Sequence, residues 1–224
     1  MDLDKHIKEN CDNRLMGTLA FGVKETYSEF HELVKRTTIL QSPEMKQTHG
    51  YIVHGMIDVM LKQILVSSGI NHNLKDKTTC KFKNGHTYFL AEVDGALITP
   101  KKLYKPKSFP KKAKYRTELS YINKEISLFD DYVDDSVNLD NIYNNNESPF
   151  LLLTYGGKNQ QVEWINLALP DFEMKEWIDR VDITNSPVIL PNQKQVKEEL
   201  QLTFTQNAER LIEEGHDNAR EGNI

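Results

Sequence analysis

The chain has 224 residues, a net charge of −5 at pH 7 and a hydrophobic content of 38%. A chain of this length can bury a sizeable core, and its composition excludes an intrinsically disordered protein. Two cysteines, Cys11 and Cys80, are too few for the disulfide framework of a small secreted domain and fit a reducing compartment. The N-terminus lacks an apolar signal core and no run reaches the length of a membrane span, so we expect a cytoplasmic protein with no membrane partner.

Two helices are predicted in the first third of the chain. Apolar residues recur at spacings of three and four over residues 13–37, the pattern of an amphipathic helix. A second helix should begin at Ser42-Pro43-Glu44, because serine caps, proline suits the first turn and glutamate favours the positive helix end. It should end near Ser68, with Gly69 as its stop, and should be the most buried helix.

A three-stranded antiparallel meander is predicted next. Asn-Gly and Asp-Gly dipeptides between apolar-rich runs are strong hairpin signals, and the chain has one of each, at Asn84-Gly85 and Asp94-Gly95. Pro100 lacks an N–H group, so it should limit the third strand or place it at an edge of the sheet. The predicted strands are residues 78–83, 86–93 and 96–99.

The rest of the chain is predicted to add helices and a second hairpin, which makes the fold class α+β: N-terminal helices, antiparallel β-meander, helix, β-hairpin and C-terminal helix. We expect a single domain over 1–224, with the polar segment 138–148 as the place where an internal linker could lie. In chain order, the predicted elements are a loop over 100–116, a helix capped by Thr117, strands at 150–155 and 162–169 joined by Gly156-Gly157-Lys158-Asn159, a short helix from Asp171 to about 181, a strand or extended segment at 188–190, and a final amphipathic helix from Asn192.

The loop over 100–116 is rich in lysine and contains no acid. Between Gly95 and Thr117 the sequence has no Asp or Glu, and three aromatic residues are interleaved with the positive charges. Lysine neutralises phosphate and aromatic rings stack on unpaired bases, a combination found in proteins that bind nucleic acid. The candidate binding residues are Lys101, Lys102, Lys105, Lys107, Lys111, Lys112, Lys114 and Arg116, with Tyr104 and Phe109 and the neighbouring Tyr115.

Two other interpretations of this loop stay open. Residues 118–147 carry eight acids and one lysine, so the two segments could pair within the molecule. The loop could also bind a protein partner with an acidic face.

Carboxylates on the predicted meander suggest a second kind of site. The order of helix, three meander strands, helix and strand over residues 43–155 resembles the αβββαβ core of restriction-endonuclease-like nucleases. The resemblance implies that Asp76 and Glu92 would hold Mg²⁺ and that a lysine two residues after the glutamate would orient the attacking water. Asp94 occupies that lysine position, so Lys101 or Lys102 would have to substitute. A solvent-facing Glu92 and an Asp94 that serves only its turn are the structural alternatives.

We predict a non-enzymatic binding protein that uses the loop over 101–116 to contact nucleic acid or an acidic partner. The richness in lysine, asparagine and isoleucine suggests an AT-rich genome, that of a bacterium or its phage. A phage or mobile-element factor is one kind of binding protein that this origin would suit. The alternative is a Mg²⁺-dependent nuclease with a degenerate site, for which Mg²⁺ would be the cofactor. Under the binding hypothesis no cofactor is expected, and the histidines and cysteines lack the spacing of a zinc site. Pairing of the final helix with a second copy is also left open.

Overall fold

The computed structural model describes residues 2–78, 87–124, 148–158 and 160–189. These residues form five α-helices and a six-stranded mixed sheet, the α+β class that the sequence predicts. The elements described belong to one compact unit, which spans Met1–Ile189. The helices are α1 (Leu3–Asn10), α2 (Leu15–Arg36), α3 (Thr38–Gln41), α4 (His49–Ser68) and α5 (Lys114–Ser120), with 3₁₀ turns at Pro43–Gln47 and Tyr121–Lys124.

The six strands lie in the sheet in the order in which they occur along the chain. Every neighbouring pair is antiparallel except β3 and β4, which run parallel and are joined through α5. The strands are β1 (His72–Thr78), β2 (Thr87–Val93), β3 (Ala96–Lys102), β4 (Phe150–Lys158), β5 (Gln161–Pro170) and β6 (Trp177–Asp182).

Each face of the sheet buries its own apolar layer. Helices α2 and α4 pack together on one face of the sheet. They approach each other closely at Gly22 of α2, where an added Cβ atom would lie only 3.2 Å from a methyl group of Leu61. On the other face, Leu119 of α5 joins a buried cluster. Side chains alternate along a strand, so neighbouring residues of β3 face different layers. The other buried members of the cluster are Leu90, Leu97, Phe150, Leu152 and Met174.

The strongest local signals in the sequence are confirmed. Gly69 ends α4 with a positive φ of 69°, and Gly95 has a φ of 79° in the two-residue turn between β2 and β3. Glycine adopts this left-handed backbone conformation without the steric cost that a Cβ atom brings. The other predicted turn, Asn84-Gly85, lies outside the described residues, as do the segment 138–147 and the predicted helix from Asn192.

Pro100 does not confine β3 to a sheet edge, and that prediction is wrong. The strand continues through Pro100 to Lys102 and pairs with β4 along this length. On the other side, its pairing with β2 ends at Ile98. The missing N–H group of Pro100 is tolerated at this point, because the Phe89 carbonyl of β2 accepts a hydrogen bond from the Thr99 hydroxyl at 2.6 Å instead.

The helix predicted from Asp171 is also wrong, because residues 177–182 form β6. The Asp171 side chain does cap backbone groups, accepting from the amides of Lys175 at 2.5 Å and Glu176 at 2.9 Å, but it closes a turn rather than a helix. Met174 holds the turn with a positive φ of 53° and a buried side chain. No strand occurs in the described part of 188–190.

Three helices also differ from prediction at their N-terminal ends. Helix α4 begins at His49 rather than after Ser42, because Pro43–Gln47 forms a 3₁₀ turn and the Ser42 hydroxyl donates to the Ile39 carbonyl at 3.0 Å instead of capping. Helix α5 begins at Lys114 after Ala113, and the Thr117 hydroxyl donates back to the Ala113 carbonyl instead of capping. Helix α1 was not predicted; it buries Leu3 and Ile7. Among the described residues, no helix is long and apolar enough to cross a membrane.

Candidate polyanion-binding surface

The loop between β3 and α5 is fixed to strand β6 by three contacts. The Trp177 indole N–H donates to the Ser108 carbonyl at 3.2 Å, and the Arg180 guanidinium donates to the Pro106 carbonyl at 2.8 Å. The ring of Phe109 packs against Trp177 with centroids 4.4 Å apart. Phe109 is therefore part of the packing beneath the loop and is not an exposed stacking residue.

Arg116 fixes the other end of the loop from inside. Its side chain is 5% exposed, and its guanidinium donates to the Lys111 carbonyl at 2.7 Å and to the Tyr115 hydroxyl at 2.7 Å. Tyr115 in turn stacks on Tyr88 of β2, with ring centroids 4.0 Å apart. Arg116 thus positions the backbone of the loop, and sequence alone did not distinguish it from the exposed cations.

The remaining cations of the loop point to solvent together with one aromatic ring. Tyr104 is as exposed as a free side chain, at 101%. Within the described residues, the ion pair that these lysines make is Lys114 with Glu118 at 3.8 Å, and both side chains are well exposed. Exposed ion pairs of this kind contribute little to the stability of the folded state. We call this set the lysine surface: Lys105, Lys107, Lys111, Lys112 and Lys114, with Tyr104.

Lys101 and Lys102 lie apart from the lysine surface, within β3. Because neighbouring strand residues face opposite ways, one side chain lies on each face of the sheet. Burial lowers the pKa of both ammonium groups, and nearby Arg116 lowers that of Lys101 further. These two lysines are half-buried and were placed by the sequence in an exposed loop.

The three candidate metal ligands do not converge. The Asp76 carboxylate accepts from Lys62 of α4 at 2.6 Å, while Glu92 accepts from Lys75 at 2.8 Å. Glu92 stands opposite Asn73 in the β1–β2 register, three residues from Asp76. Side chains alternate along β1, so Asp76 and Glu92 lie on opposite faces of the sheet.

Asp94 lies in the β2–β3 turn and accepts from the Asn71 side-chain amide at 2.9 Å. Asp94 and Glu92 both line an open polar cleft of about 710 Å³ at this end of the sheet, and Asp76 does not. Among the described residues, no group of three or more His, Cys, Asp or Glu side chains is placed to hold a metal ion.

Asp58 is an ionisable residue that no sequence pattern identified as a candidate. It lies in α4, and burial raises the pKa of its carboxyl to about 6; nearby Lys62 opposes this rise and Asp76 adds to it. The only sequence signal was an acid within a mainly apolar helical run. Periodicity does not show which face of α4 this acid occupies, because apolar residues are spread around most of the helix.

The order α4, β1, β2, β3, α5, β4 agrees with the order on which the nuclease resemblance rests. No family model, curated protein or solved structure matches the chain.

Proposed function

We propose that this protein is a non-enzymatic binding protein whose lysine surface binds single-stranded nucleic acid. The observation that carries the proposal is an array of exposed lysines around a fully exposed Tyr104, on a loop whose backbone is fixed by the side chains of Arg116, Trp177 and Arg180. Lysines that lack strong partners can exchange water for phosphate. The free ring of Tyr104 offers a base a surface to stack on.

A fixed loop supports binding because ordering a loop on association costs free energy. Three side chains already hold the backbone here: Arg116 contacts the Lys111 carbonyl, Trp177 the Ser108 carbonyl and Arg180 the Pro106 carbonyl. The lysine side chains retain their freedom while their Cα positions are set. Such a surface suits a flexible polyanion, which can adapt its backbone to fixed charges.

The test is binding of a fluorescently labelled single-stranded oligonucleotide, followed by anisotropy. Lys111→Glu with Lys112→Glu should weaken binding by tenfold or more for every base sequence, because phosphate contacts carry no sequence information. The matched control is Lys8→Glu with Lys24→Glu, which makes the same change in net charge at exposed positions on α1 and α2. Equal loss of binding in both double variants would contradict the proposal.

Two further outcomes of this test would favour a different function. Binding of polyglutamate without binding of any oligonucleotide would favour an acidic protein partner. Mg²⁺-dependent cleavage of the oligonucleotide that disappears in Glu92→Ala would instead favour the nuclease alternative. The separation of Asp76 from Glu92 across the sheet is the reason that binding is preferred here.

A further inference from the structure

The solvent-facing side of α4 is apolar, although the opposite side of the same helix packs in the core. Tyr51 is 82% exposed, Val66 is 63% exposed and Val59 is 37% exposed. The buried side of the helix holds an apolar set of its own, which includes Ile57 and Leu61. A helix that is apolar all round is normally covered on every side, but the described residues leave these three side chains uncovered.

The outer residues of α4 follow the spacing of a coiled-coil seam. Steps of three and four alternate through Ile52, Gly55, Val59, Lys62 and Val66, which correspond to the a and d positions of successive heptads. We call these five residues the α4 seam, and none of them is buried. The three a positions hold β-branched side chains, which favour two-stranded pairing. The α4 seam thus has the pattern with which one helix packs against one other helix.

The charge of the α4 seam is balanced within the molecule. Its one charged member, Lys62, donates to the Asp76 carboxylate of β1 at 2.6 Å. A strongly charged partner therefore finds no unpaired charge on the α4 seam to recognise, whereas an identical surface meets no net repulsion there. In a chain of which 27% of the residues are charged, such a surface fits a second copy of itself, as in a two-fold interface where the same patch meets its own copy.

Gly55 leaves a gap in the α4 seam that Val59 of a second copy can fill. A Cβ atom added to Gly55 would meet nothing within 4 Å. In an antiparallel pair of helices the a and d positions face each other, so Val59 of each copy lies opposite Gly55 of the other. A parallel pair would instead place glycine opposite glycine, which leaves a void, and would bring the two Lys62 ammonium groups together. The antiparallel arrangement avoids both costs.

We infer that this protein forms a two-fold symmetric dimer in which the α4 seams of two copies pack antiparallel. A contact made by one helix from each copy buries less than the roughly 1,600 Å² of a standard protein interface. The dimer is therefore weak, with a dissociation constant in the micromolar range or above, and it exchanges with the monomer. The inference does not depend on the nucleic-acid proposal, since no residue of the α4 seam belongs to the lysine surface.

The test is sedimentation velocity of the full chain over a range of concentrations that reaches the millimolar. The wild type should shift from monomer towards dimer as its concentration rises. Val59→Glu should weaken association by about tenfold or more, because it buries a carboxylate against the apolar part of the partner's seam. The matched control is Leu33→Glu, the same kind of change on α2 at a side chain that is 39% exposed, and it should associate like the wild type.

Two further measurements separate loss of pairing from loss of folding. At a concentration where the wild type is monomeric, Val59→Glu should melt close to the wild type, because the described residues leave this position open to solvent. Val66→Glu, at the more exposed end of the α4 seam, should weaken association as Val59→Glu does. The inference is overturned if the wild type stays monomeric or if Leu33→Glu weakens association as much as Val59→Glu. It is also overturned if Val59→Glu destabilises the monomer, since the same chain would then cover the α4 seam.

Discussion

Asp58 illustrates how one residue can set the pH response of the fold. One of its carboxylate oxygens is buried without a hydrogen-bond partner in the described residues, and its pKa rises from an ordinary 3.8 to about 6. The folded state therefore binds this proton more tightly than the unfolded state does. Between about pH 4 and pH 6 its contribution to stability falls as pH rises, and above this range the loss is complete.

Replacing Asp58 by Asn should remove this loss. A shift of roughly two pKa units corresponds to about 3 kcal/mol at most, and partial solvent contact reduces the expected effect to the order of 1–2 kcal/mol. Urea unfolding should show Asp58→Asn to be more stable than the wild type at pH 7.5, with the difference shrinking towards pH 4. Glu9→Gln, on the surface of α1, is the control. A stability difference that does not change with pH would contradict this assignment.

At the scale of elements, the contacts of β6 with the basic loop should determine how well the loop binds. Trp177→Phe with Arg180→Met keeps every lysine but removes both hydrogen bonds from β6 to the loop. We expect faster hydrogen exchange in 103–113 and several-fold weaker oligonucleotide binding, because the loop must then be ordered on association. Faster exchange with unchanged affinity would show that the fixed backbone does not matter.

Elements whose signals are local could be predicted from the sequence. Helix α2 follows its apolar spacing, α4 ends at Gly69, and Asp94-Gly95 forms its turn, since each depends on residues close in the chain. Strand β6 could not be predicted, because its residues become a strand by pairing with β5. Pro100 was misread for a similar reason: the ladder on the β2 side ends just before it.

The candidate site was predictable in composition but not in arrangement. The sequence shows eight basic residues in the stretch from 101 to 116, yet only the fold separates the exposed lysines from buried Arg116 and half-buried Lys101 and Lys102. In the same way, Asp76 and Glu92 are assigned to opposite faces by the β1–β2 register. That register is set by long-range pairing, and the predicted start of the first strand at 78 was six residues late.

At the scale of the whole molecule, the basic loop contrasts with the chain that carries it. The net charge is −5, yet no acid occurs between Gly95 and Thr117. Overall negative charge disfavours unspecific adhesion to polyanions, so binding should require the lysine surface to face the ligand. At physiological ionic strength, charges farther apart than about 8 Å are largely screened from one another. The attraction of a polyanion to the lysine surface should therefore depend on the nearby lysines and not on the net charge of the chain.

The dependence of oligonucleotide affinity on salt tests the central claim most directly. If the five lysines of the surface each displace a counterion from single-stranded nucleic acid, the logarithm of the association constant should fall against the logarithm of salt concentration with a slope of about −3.5. Lys111→Glu with Lys112→Glu should reduce the magnitude of this slope by about 1.4 or more. A slope near zero, or the absence of binding at low salt, would contradict the account.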